Sequence, residues 1–294
     1  MKRNSKLQSA MEYLMTYGWA ILIIAVVLGA LFQLGVFNSS SFAPKAPPGA
    51  CQVFRPSGPG TTTNINLMGV CTGQLPQYVA QFDGLSGYVN VGGASLNLGT
   101  QNFTISGWTK TSGKTTNPLF VKRYWSPNTN PGFQVVTQDN NRLYVYFCDG
   151  SALRLTGSSS GIYADGSWHF FAVVFNRQSN AILYKDGAYD SQFSISAQQG
   201  SVSSPANLFI GAQSSSSPIP QDYYAGNMAN GQIYNASLSA NQIASLYNEG
   251  MGGAPMKLQN LVGWWPLNGD MKDYSGNNNN GVPTSVTFTS QYGK

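Results

Sequence analysis

The chain has 294 residues, of which only 9% are charged, and its formal net charge is +5. That length allows a sizeable core in one or two domains, and the sparse charge with abundant Gly, Ser, Asn, Gln and Tyr suits an extracellular β-protein better than a cytosolic enzyme. Nucleic-acid binding is excluded on the distribution of charge: Lys2, Arg3 and Lys6 supply most of the excess, and beyond Phe37 the basic residues are scattered singly, with no stripe to track phosphates.

The first element is an apolar helix. No charged residue occurs from Tyr13 through Pro44, and WAILIIAVVLGALF (Trp19–Phe32) is apolar on every side. With its flanks from Leu14 to Val36 the run exceeds the ~20 residues that a bilayer-crossing helix needs. Lys2, Arg3 and Lys6 precede it, so the N-terminus is expected to stay cytoplasmic and the rest of the chain to lie outside. LGALFQLGVFNSSSF offers no clear small-x-small cleavage site, and the helix is expected to remain attached to the mature protein. Glu12, near the head of this run, is costly in an apolar setting and is therefore a functional question.

The basic leader, Gln8-Ser9-Ala10-Met11-Glu12 and the apolar helix together resemble the class III signal of archaeal type IV pilin-like proteins. The resemblance implies that a prepilin peptidase cuts between Leu7 and Gln8, leaving residues 1–7 as a leader and 8–37 as a transmembrane and assembly helix. Leu7 departs from the small residue usual before that cut. Glu12 then becomes the fifth mature residue and can neutralise the new terminal ammonium of a neighbouring, identical or related subunit, since either charge buried alone would be costly. A monomeric anchor, with Glu12 at the membrane interface, is the alternative.

NSSSFAPKAPPGA (residues 38–50) follows as a Ser- and Pro-rich spacer. Beyond it the three cysteines form no CxxC or Cys/His pattern, so zinc is not expected. Cys51 and Cys71 bracket a Gly/Pro-rich loop of about twenty residues, and in an oxidising exterior a disulfide there would contribute about 3 kcal/mol. Three buried thiols are the other reading, and Cys148 is read as a small apolar core residue. Next come GYVNVG, FTISGW, GFQVVT, LYVYFC, WHFFAVVF, AILYKDG and ANLFIG, short β-branched and aromatic runs separated by turn residues, the pattern of an antiparallel sandwich. One helix interrupts them: in LSANQIASLYNEG, Ser239 can cap with Gln242, Ile243, Leu246 and Tyr247 share an apolar face, and Gly250 suits the end.

FDGLSGYVNVG, FTISGWTK, DGSWHFFAVVFNRQSNAILYKDGA, LFIGA and GQIYNASLSANQIASLYNEG, in that order, resemble the laminin-G-like, concanavalin-A-like jelly roll. The fold expected for residues 51–294 is thus an all-β jelly-roll sandwich, with Trp108 and Trp168 as core tryptophans and His169 as a strand residue. LVGWWPLNGDMKDYSGNNNNG (Leu261–Gly281) contains a W-P-L…D-x-S-G-N run that usually opens this domain but here closes the chain. Circular permutation is the favoured explanation, and a truncated second domain the rival.

The same fold hosts glucanases, so function needs its own argument. Retaining hydrolysis needs two carboxyl groups about 5 Å apart. The only glutamates are Glu12 and Glu249, and Asp186/Asp190 in KDGAYD read as hairpin chemistry, so no enzyme is expected. Calcium is a weaker question: FDGLSGYV carries Ser86 and Gly87 where relatives have carboxylates, leaving Asp83. No other cofactor is expected. The aromatic loops KRYWSPNTNP and QDYYAGN make Tyr124, Trp125, Tyr223 and Tyr224 the candidates for stacking on a carbohydrate or other surface ligand, while packing under their own loops is the alternative. Asn38, Asn102 and Asn235 open N-x-S/T sequons. The sequence therefore leads to a cell-surface, pilin-like subunit that displays a lectin-like jelly roll for adhesion.

Overall fold

The computed structural model describes residues 5–33, 51–54, 62–65, 75–93, 96–113 and 116–290, with side chains described for 17–31 and, from 75 onward, throughout those ranges. The chain divides into two units, Met1–Pro48 with Leu67–Val70, and Gly49–Asn66 with Cys71–Lys294. The first holds helix α1, Ser5–Gln33. Most of its described apolar side chains, Trp19, Ile21 and Ile24 among them, are exposed. Among the described residues no helix is long and apolar enough to cross a membrane. The backbone of Leu7, Gln8 and Glu12 lies in α1, which crosses the expected leader boundary; their side chains fall outside the described residues.

The second unit is built almost wholly of strands. β1 (Cys51–Phe54) and β2 (Thr62–Ile65) pair antiparallel. Then come β3 (Val79–Asp83), β4 (Tyr88–Gly92), β5 (Phe103–Ser112), β6 (Thr116–Lys122), β7 (Gly132–Gln138) and β8 (Arg142–Cys148). β9 (Leu155–Ile162), β10 (Asp165–Phe175), β11 (Asn180–Lys185) and β12 (Ala188–Ser194) follow. β13 (Leu208–Ile210), β14 (Ala212–Ser214), β15 (Pro220–Tyr223) and β16 (Ala225–Tyr234) precede helix α2 (Ala240–Glu249). β17 (Leu261–Trp265), β18 (Val282–Thr284) and β19 (Val286–Thr289) close the chain.

Two antiparallel sheets form the sandwich. One has eight strands, in the order β12-β11-β10-β5-β16-β3-β19 with β17 also on β16; the other has seven, β18-β4-β13-β6-β7-β8-β9. Alternation sends Phe103 and Ile105 of β5, Phe171 and Val173 of β10, Val135 of β7 and Val145 of β8 into the space between them. Phe103 and Phe175 stack there at 4.1 Å. On the outer face of the eight-stranded sheet, α2 buries Ile243 and Leu246 against Phe170 and Val174. Its start is the expected capping box, with Gln242 N–H donating to Ser239 Oγ and Ser239 N–H to Gln242 Oε1. At its end Gly250, at φ +86°, donates to the Tyr247 carbonyl at 3.0 Å.

Trp108 and Trp168 are not in the main core. Both are half-buried on the outer face of the eight-stranded sheet, where Trp108 stacks on Tyr247 at 5.5 Å and the two flank Val79, Ala229 and Met251. The fully buried tryptophan is Trp265, at the end of β17. β17 pairs with β16, β18 with β4 and β19 with β3, so the tail completes both sheets of one sandwich and is not a second, truncated one. The D-x-S-G-N loop pins it: Asp273 accepts from the amides of Trp264, Ser275 and Asn279 and from Ser275 Oγ, all at 2.8–2.9 Å. Cys148 is buried, as expected. Cys51 opens β1 opposite Ile65, while Cys71, and with it the Cys51–Cys71 pairing, lies outside the described residues, as does Asn38.

Candidate functional site

The outer face of the seven-stranded sheet carries the other half of the alternation. Val121, Val136 and Tyr146 cluster there with Tyr144, on the side opposite Val135 and Val145. The β14–β15 hairpin and the loop after β6 stand beside this face and enclose a cleft of about 400 Å³. Thr116, Val136, Gln138 and Tyr146 contribute from the sheet; Gln213, Ser214, Ser215, Gln221 and Asp222 come from the hairpin; Trp125 comes from the loop.

Each wall is held by bonds the local sequence supplies. The amides of Trp125 and Ser126 donate to the carbonyls of Ser214 and Ser215, fastening the loop to the hairpin. Buried Arg123 reaches the carbonyls of Asn130 and Asn128 through Nε and Nη2, both at 3.1 Å. Burial pulls its guanidinium down to about 10, so it stays charged at neutral pH. Arg154 lies 3.9 Å from the Trp125 ring centroid and 4.6 Å from that of Tyr146, and its Nη1 donates to Asn128 Oδ1 at 2.7 Å. The Trp125 and Tyr146 rings meet edge to face at 6.0 Å. Gln138 Nε2 donates to the Tyr146 hydroxyl, whose ionisation burial pushes up, and Gln213 Nε2 donates to Asp222 Oδ2 at 2.7 Å. Two buried polar atoms are left over here, Arg123 Nη1 and the Ser214 hydroxyl. The Ser214 hydroxyl, on a residue 1% exposed, has no partner.

Of the ring candidates read from the sequence, only Trp125 lines the cleft, with 37% of its surface open. Tyr124 is half-buried and bridges to Ser214. Tyr223 is half-buried, donates to the Pro220 carbonyl at 3.1 Å and tilts against Tyr88. Tyr224 is a correction. It is fully buried, its hydroxyl 2.6 Å from Thr109 Oγ1, and it cannot present a ring to a ligand. The sequence motifs took in Gln221 and Asp222 within QDYYAGN but not Tyr146, Gln138 or the β14 half of the hairpin. The available signal was LYVYFC, where Tyr144 and Tyr146 alternate with Leu143, Val145 and Phe147 and so mark a polar-tipped outer face. Asn102 is exposed, with Oδ1 accepting from the Arg177 amide, and half-buried Asn235 accepts from Asn260 Nδ2.

The carboxylates weighed for catalysis or calcium have structural tasks. Asp83 Oδ1 accepts from the amides of Ser86, Leu85 and Gly87, and Oδ2 from Ser86 Oγ, which together hold its ionisation far below the usual carboxylate range. Asp186 and Gly187 form the two-residue β11–β12 turn, at φ +49° and +79°. Asp190 binds the amides of Ser160 and Gly161 at 2.7 Å, tying β12 to β9. Among the described residues no group of three or more His, Cys, Asp or Glu is placed to hold a metal ion.

His169 is a strand residue, as expected, and it is also clamped: Nδ1 lies 2.9 Å from Asp186 Oδ2, and Nε2 3.2 Å from Asp165. The Asp186 hydrogen bond, then that of Asp165, raises its ionisation above the ordinary imidazole value. Asp165 is lowered, by the Ser167 amide first; burial raises Asp186, and His169 with the Phe170 amide more than reverses this. The clamp is therefore fully formed below about pH 6.5 and lost as pH rises through the raised His169 value; its acidic half is lost only below about pH 3.9. In thermal unfolding from pH 5 to 9, the wild-type melting temperature should fall as His169 deprotonates, and His169→Gln should flatten that slope.

A two-sheet antiparallel sandwich with a ring-walled cleft on one outer face defines the class as lectin-like in fold. The chain belongs to the concanavalin A-like lectin/glucanases superfamily, whose laminin G-type family model matches residues 82–244. No curated protein is detectably similar to it. Among solved structures it is similar to a candidate carbohydrate binding protein from Bacteroides ovatus, at 14% identity and a TM-score of 0.57 over 74% of this chain and 60% of that one. A heptameric SAP-like pentraxin from Limulus polyphemus matches at 13% identity and 0.54, over 73% of this chain and 95% of that one. This chain thus spans about 60% of the length of the Bacteroides protein, and both likenesses concern the fold.

Proposed function

We propose that the sandwich binds carbohydrate in the Trp125–Tyr146 cleft, as the outward-facing part of a cell-surface adhesion subunit that is not an enzyme. The observation carrying this reading is the pairing of a partly exposed indole, over whose ring Arg154 also lies, with a wall of amides and hydroxyls that includes the unpartnered, buried hydroxyl of Ser214. An aromatic face takes the C–H side of a pyranose ring, and convergent short polar groups take its hydroxyls. The description of the Bacteroides structure as a candidate carbohydrate binding protein agrees with it. The test is a glycan array probed with the purified full-length chain in a sugar-free detergent. Retention of a defined glycan set, lost in Trp125→Ala, is expected. A wild-type chain that retains none refutes the reading.

The N-terminal unit completes the proposal. The Gln8–Glu12 pattern and the exposed apolar side chains of α1 favour a helix that a prepilin peptidase trims, that seats in the membrane, and that assembles with other subunits. Glu12→Ala is expected to leave the chain membrane-associated but without filaments, as read by fractionation and electron microscopy. Unchanged filaments would remove that role from Glu12. In this reading the return of β17 to β16 from the C-terminus is a circular permutation, favoured by the antiparallel pairing of Val79 at the start of β3 with Thr289 at the end of β19.

A further inference from the structure

We infer that the cleft selects uncharged sugar rings and that Asp222 is the residue that turns acidic ones away; this rests on the carbohydrate reading above. Of the residues lining the cleft Asp222 is the one carboxylate, and no Lys, Arg or His lines it. The Arg154 guanidinium keeps its charge but is not among the lining residues; it lies against the rings of Trp125 and Tyr146 and donates to Asn128. Arg123 is fully buried behind the loop, on the carbonyls of Asn128 and Asn130.

The hydrogen-bonding inventory points the same way. Asp222 can only accept, whereas Gln213, Gln221 and Ser214 can each donate and accept. A sugar hydroxyl does both and can satisfy every one of these groups. A uronate or sialate carboxylate only accepts, and it would face Asp222 as a like charge. The Ser214 hydroxyl, buried and unpartnered at the wall, is a second mark of a polar occupant. Asp222 would repel a carboxylate held in the same cleft, so discrimination of about tenfold or more is expected.

The experiment uses oligoglucosides, oligogalactosides and oligomannosides, each beside its C6-oxidised uronate, titrated into the full-length chain. The wild type should favour the uncharged member of the best-bound pair by about tenfold or more. Asp222→Asn keeps an oxygen for Gln213 and suits the φ of +44° at this position, so the hairpin is preserved. It should tighten uronate binding and bring the ratio to within about threefold, and 1 M salt should shrink the wild-type ratio in the same direction. Trp125-dependent uronate binding as tight as that of the uncharged partner, or an Asp222→Asn ratio equal to wild type, would overturn the inference and leave carbohydrate binding standing. Absence of any Trp125-dependent sugar binding would overturn both.

Discussion

Trp265→Ala is expected to destabilise the sandwich by about 3–5 kcal/mol, a large part of the 5–15 kcal/mol that a domain of this kind possesses. The indole is fully buried, its ring 6.4 Å from that of Phe120 across the core, and Nε1 donates to the Asn279 carbonyl at 2.9 Å. Alanine would leave a cavity at the seam where β17 joins β16 and would free the carbonyl that holds the D-x-S-G-N loop. The loss should appear as a lower denaturant midpoint. Trp265→Phe, which fills most of the space but lacks the N–H, should fall between the two. A midpoint equal to wild type in Trp265→Ala would mean that β17 is an accessory and not part of the core.

Trp125→Ala should do the reverse, reducing glycan affinity by about tenfold to a hundredfold while costing about 1 kcal/mol of stability or less. The difference follows from position. Trp125 is 37% exposed on a loop whose backbone is fastened independently, by its amide to Ser214 and by Arg123 to Asn128 and Asn130. Losing the ring forfeits its contacts with Arg154 and Tyr146 but opens no void in the core. A bound sugar would lose its stacking surface altogether. Titration calorimetry with the strongest glycan of the array, paired with thermal unfolding, separates the two effects. Unchanged affinity would place the ligand elsewhere, and a collapse in melting temperature would make Trp125 a structural residue.

The strands that were legible in the sequence are those in which large apolar residues alternate. GYVNVG, FTISGW, GFQVVT, LYVYFC, WHFFAVVF, AILYKDG and ANLFIG each fall in a strand, and the α2 cap formed as its residues require. β16 was harder to see because packing demands small residues in it. A side chain on Gly231 would come within 2.6 Å of the Phe120 ring, and one on Gly226 within 2.3 Å of the Lys110 carbonyl, so a central strand reads as AGNMANGQIY, a string of turn formers. β9, LTGSSSGI, lies at the end of its sheet and has little apolar surface to show. The cleft was half legible. Its aromatic wall announced itself through Trp125, whereas its polar wall comes from short hydroxyl and amide side chains in a hairpin that only long-range pairing sets beside β6 to β8. Nothing local distinguishes Tyr224 from Tyr223: the strand start decides that the first packs inward on Phe82 and the second stays outside.

The most direct measurement is a crystal structure of the chain with its best-retained oligosaccharide. The account predicts a pyranose ring lying on the Trp125 indole at van der Waals distance, about 4 Å, with the Ser214 hydroxyl bonded to it. A sugar seated on the loop around Asp83, or anywhere else that leaves Trp125 and Ser214 untouched, would contradict it.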